Sequence, residues 1–72
     1  MMSKDSALKL MHFVERFGEA FNDATVATLE MQDVEEAKRV RKILADMIAQ
    51  SFELARLLTQ QHPDLNPDAK GN

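Results

Sequence analysis

The sequence predicts an all-α fold, a two-helix antiparallel hairpin that dimerises into a four-helix bundle. Residues that lose least on entering a helix (Ala, Leu, Met, Glu, Lys, Arg, Gln) dominate, β-branched residues are few, and Tyr and Trp are absent. Apolar side chains recur alternately three and four positions apart, the spacing of a coiled-coil seam. That seam is interrupted near the middle of the chain, which divides it into two helices.

The first helix is expected over about 4–31. Ser3 is a suitable N-cap, and Asp5 lies in the first turn, where a carboxylate meets the positive end of the helix dipole. Ala7, Leu10, Val14, Phe17, Phe21, Ala24, Thr28 and Met31 form its seam. Phe13, Ala20 and Ala27 widen it on one flank, Met11 and Gly18 on the other, giving a broad core-facing stripe. Gly18 costs about 1 kcal/mol relative to Ala inside a helix, so close helix approach beside Phe17 and Phe21 is its expected use.

Continued without a break, the seam meets Glu35, Lys38 and Lys42, charges where apolar side chains are needed. The register therefore breaks after Met31, and Asp33 caps a second helix with Glu36 three residues on, in the manner of a capping box. This turn lacks glycine and proline, and two arrangements compete with it: an uninterrupted rod from Lys4 to Gln61, and a break near Asn22 and Asp23.

The second helix is expected over about 34–61, with Ala37, Val40, Leu44, Met47, Ser51, Leu54 and Leu58 on its seam and Ile43, Ile48, Ala55 and Leu57 beside it. Pro63 lacks a donor N–H and disfavours helix at the residue before it, so the hairpin spans 1–62 and a flexible polar tail spans 63–72.

A chain of 72 residues makes one domain at most. It hides only ~60% of the surface its unfolded form exposes, and chains of this size usually add disulfides, a metal or self-association. Cysteine is absent and the two histidines are far apart in the chain, so association is the route left. In a hairpin each helix has one neighbour, which cannot cover a stripe half a circumference wide. Leu8, Leu29, Ala45, Ala49 and Phe52 lie off the main seam, and with Arg56 they are the expected partner-binding residues. Phe52 suits an interface anchor; a one-residue register error would instead make it ordinary core. The partner is a second copy, giving a homodimer, or another helical protein.

The net charge of −3 opposes binding to nucleic acid and anionic membranes outside a local patch. Lys38, Arg39, Arg41 and Lys42 are such a patch, able to contact phosphates in the manner of helical-hairpin dimers that engage RNA. The competing view is a solvated face, with Glu35 pairing with Arg39 and Asp46 with Lys42 across one turn and no aromatic platform beside them. His12 faces away from the seam, and the order His-x-x-Glu is the reverse of the Glu-x-x-His found in di-iron bundles. His62 stands at a helix C-terminus, where its proton interacts favourably with the dipole. Met11, Met31 and Met47 are core or core-edge residues, or the lining of an adaptable peptide groove.

No nucleophile with a base, phosphate-cradling loop or inward carboxylate pair stands out, so no enzyme, metal or cofactor is expected. Neither a signal peptide nor a membrane span is expected, and a cytoplasmic location is the default. The leading expectation is a non-enzymatic interaction module acting as adaptor, chaperone-like cofactor or regulator; the alternative is a nucleic-acid-binding regulator acting through the basic run.

Overall fold

A computed structural model describes residues 1–65 of the chain. Helix α1 runs over Lys4–Leu29 and helix α2 over Val34–Gln61, and the two fold back on each other as a hairpin; a single 3₁₀ turn, Pro63–Leu65, follows. No strand forms among the described residues.

Both N-caps are the residues whose chemistry suits them. Ser3 and Asp33 have extended backbone, and their side-chain oxygens accept from Ser6 N–H at 3.2 Å and Glu36 N–H at 3.1 Å. The end of α1 departs from expectation: the helix stops at Leu29 and Met31 lies in the turn. Glu30 N–H donates to the Ala27 carbonyl at 3.2 Å and Met31 N–H to that of Thr28 at 3.3 Å, so the last turn tightens into short-range bonds. The 3₁₀ turn occupies the first three residues of the expected tail, and Leu65 N–H closes it on the His62 carbonyl at 3.0 Å. The remainder, 66–72, lies outside the described residues.

The seam is built mainly from small side chains. Ala7, Thr28, Ala37, Ser51 and Leu58 are the buried residues, and Leu58 alone among them is large. Placed on one antiparallel register, Ala7 stands level with Leu58, Thr28 with Ala37, and Val14 with Ser51. The buried hydroxyls are satisfied within their own helices, Thr28 Oγ1 donating to Thr25 O and Ser51 Oγ to Ile48 O, both at 2.7 Å. Small residues let the helix axes approach, and the larger apolar side chains are displaced to the sides. Gly18 plays no part in that approach, because a Cβ built there meets nothing within 4 Å. Its expected use is therefore corrected.

Both ends of the hairpin are fastened. At the turn, Arg41 Nε donates to Thr28 Oγ1 at 2.9 Å, setting a cation beside the C-terminus of α1. At the open end, Met2 N–H donates to Gln61 Oε1 at 3.1 Å, the His62 ring donates from Nε2 to the Met2 carbonyl at 3.0 Å, and Lys4 pairs with Asp64. That ammonium holds the Asp64 carboxyl below its usual pKa, chiefly by hydrogen bonding.

Candidate functional site

The hairpin is one helix thick, with extents of 44 × 25 × 16 Å. A single layer has no second face to bury its larger side chains. Val14, Phe17, Phe21, Leu44 and Leu54 are half-buried, and Met47, counted with the seam by spacing, is 46% exposed. Ile43 and Leu57, expected beside the seam, are exposed as well.

These side chains gather on one flank. At about 100° per residue, Ile43, Met47, Gln50, Leu54 and Leu57 share a stripe of α2 about 80° wide, while Phe13, Phe17, Ala20 and Ala24 share one of α1 about 60° wide. The two stripes meet in a concavity of about 350 Å³, open along one side and lined by Phe13, Phe17, Met47, Gln50, Ser51 and Leu54. Phe13 and Phe17 form its aromatic wall, their ring centroids 6.2 Å apart and their planes inclined at 30°. Met47 and Leu54 line it from α2, with Gln50 and Ser51 the polar side chains among them. Aromatic residues and methionine with few charges is the composition of an interface core.

The expected partner-binding residues lie elsewhere. Leu8, Leu29, Ala45, Ala49, Phe52 and Arg56 are all exposed, but they do not line this groove. Phe52 stands about 140° round α2 from Met47, and Leu8 about 140° round α1 from Phe13. Leu8 and Leu29 are separated by about 30 Å along their helix. Arg56 is paired with Glu53 at 2.6 Å. The sequence places Phe13, Ile43, Met47 and Leu57 in or beside core-facing stripes too broad for one neighbour to cover, but the partner-binding residues expected from it were those off the main seam; the offset line that Ile43, Met47 and Leu57 form with Leu54 was not singled out.

The basic run is divided in its engagements. Arg41 is held by Thr28, and its terminal nitrogen also reaches the Thr28 carbonyl at 3.5 Å. Lys38 pairs with Glu35 at 3.8 Å. The expected pairs Glu35–Arg39 and Asp46–Lys42 do not form among the described residues, so Lys38 takes the carboxylate assigned to Arg39. His12 is exposed, and no three potential metal ligands converge among the described residues. No helix of the described residues is long and apolar enough to cross a membrane.

Fold and surface together define a two-helix hairpin with an open apolar groove on one flank and further exposed apolar side chains, Leu8, Leu29 and Phe52 among them, away from it. Comparison with protein-family models, with curated proteins and with solved structures returned no match to this chain.

Proposed function

We propose that this chain is a non-enzymatic helical interaction module whose working surface is the flank of Phe13, Phe17, Ile43, Met47 and Leu54. The observation that carries the reading is the inversion of sizes: small residues hold the helices together, while Phe13 and Ile43 are 54% and 60% exposed. Burying a side chain of that size contributes roughly 1.5–3 kcal/mol, a large share of what a small domain has. A partner helix laid along the groove recovers it. The role is that of an adaptor, chaperone-like cofactor or regulator, with association as its activity. The alternative, phosphate contact through Lys38, Arg39, Arg41 and Lys42, has less support, because Arg41 and Lys38 already have protein partners.

Methionine oxidation tests the reading, with Met1, fully exposed, as the internal standard. In cells treated with peroxide, Met47 should oxidise several-fold more slowly than Met1, and a Phe13→Asp substitution should remove that protection. Equal rates for the two methionines in the unaltered protein would overturn the reading.

A further inference from the structure

The charges bordering the groove follow a pattern that the hairpin itself does not use. On α1, Lys9, Arg16 and Asp23 lie one heptad apart along the outer edge of the aromatic stripe; on α2, Arg39, Asp46 and Glu53 lie one heptad apart along the outer edge of the aliphatic stripe. All six are exposed. In the antiparallel hairpin, Lys9 is close in height to Glu53, Arg16 to Asp46 and Asp23 to Arg39, each pair opposite in sign. Within one chain these pairs face outward from opposite sides of the groove, and none forms an ion pair; Lys9 turns to Asp5 at 3.8 Å and Glu53 to Arg56.

We propose that the groove is filled by the same groove of a second copy of this chain, with α1 of each protomer lying on α2 of the other about a two-fold axis parallel to the helices. The proposal rests on reading the flank as an interface and adds the occupant and its orientation. A two-fold axis along the helices keeps every residue at its own height and exchanges α1 for α2. The basic edge Lys9–Arg16 of one copy then meets the acidic edge Asp46–Glu53 of the other, and Asp23 meets Arg39. Turning the axis across the helices at the height of Arg16 would instead lay α1 antiparallel on α1 and set Arg16 against Arg16 and Asp46 against Asp46, although Lys9 would meet Asp23. The edge charges therefore favour the first dimer, in which every edge contact joins opposite charges, as charges flanking a coiled-coil seam do. Inside, the Phe13–Phe17 wall of one protomer meets Met47 and Leu54 of the other, a favourable sulfur–aromatic arrangement. Gln50, the polar side chain in the apolar stripe, fixes the register as a buried amide does in a coiled coil.

The test is sedimentation equilibrium of the full chain and of charge-reversed variants, with helicity monitored by circular dichroism. The unaltered chain should be a dimer. Reversing one edge, as K9E/R16E or D46K/E53K, should weaken it about 10- to 100-fold, since each contact occurs twice in the dimer. Mixing these two variants, or combining all four substitutions in one chain, should restore the dimer. Single-edge variants that dimerise as tightly as the unaltered chain would overturn the orientation. A monomeric unaltered chain would overturn the proposal; if Met47 were then still protected in cells, the interaction reading would survive with a different occupant, and if Met47 were unprotected both would fall.

Discussion

The Arg41 guanidinium of α2 donates to the Thr28 hydroxyl of α1 at 2.9 Å, and Thr28 is buried beneath it. A residue that sequence assigns to a solvated basic run thus secures the turn end of the hairpin. A charge-assisted hydrogen bond to a buried acceptor is worth about 1.5–3 kcal/mol, and the exposed end of Arg41 lowers that toward the smaller value. Arg41→Ala should therefore cost about 1 kcal/mol in urea unfolding, whereas Arg39→Ala should cost little. A double-mutant cycle with Thr28→Val should reveal coupling between Arg41 and Thr28; strictly additive losses would mean that the contact contributes nothing.

Gly18→Ala should stabilise the chain by up to about 1 kcal/mol, because alanine has the higher helix propensity and restricts the unfolded chain. The added methyl group meets no atom within 4 Å. Thermal unfolding of the variant should move upward by several degrees. A downward shift would indicate that something covers this face of α1 in solution.

Leu58→Ala and Phe13→Ala should behave differently although both remove large apolar groups. Leu58 is fully enclosed at the open end of the hairpin, so its truncation should cost about 2–5 kcal/mol and abolish cooperative unfolding in a chain this small. Phe13 is 54% exposed within the hairpin. Its truncation should weaken association far more than it lowers helicity, a contrast read by comparing sedimentation with circular dichroism. Equal loss of helicity in both variants would place Phe13 in the hairpin's own core.

The clasp between Lys4 and Asp64 should respond to acid. The Asp64 carboxyl has a pKa below its unfolded value because Lys4 hydrogen-bonds to its charged form. Its contribution is present above the ordinary aspartate range and is lost as pH falls through the lowered folded value. Carboxyl-carbon NMR should give Asp64 a lower titration midpoint in the unaltered chain than in a Lys4→Gln variant. The same midpoint in both would mean the clasp is open in solution.

Much of the hairpin was legible from residue types because its signals are local. Ser3 and Asp33 cap through a side chain three residues from its donor, and the spacing of Ala7, Val14, Phe21 and Thr28 fixes one face of α1 regardless of what covers it. Met47 was misread because the helices meet along a seven-residue spacing that includes Ala37, Ser51 and Leu58, and Met47 stands beside that line, a choice among the apolar positions that spacing alone does not make. Helix α1 ends at Leu29, earlier than periodicity suggested, where Glu30 and Met31 turn to short-range backbone bonds; Arg41, thirteen residues past Thr28, meets that end from α2, and sequence spacing carries no record of a contact across the hairpin.

Sequence by itself determined that this chain forms two amphipathic helices with a break between them, since propensity, caps and periodicity act within a few residues. Which side of each stripe stays open was decided only by the tertiary structure. Both flanks of both helices carry apolar residues, and the choice depends on where the small side chains Ala7, Thr28, Ala37 and Ser51 let the axes meet. Close approach there leaves Phe13, Ile43 and Met47 on a shared open flank and turns Phe52 to the other side, an outcome of packing between helices that neither helix encodes alone.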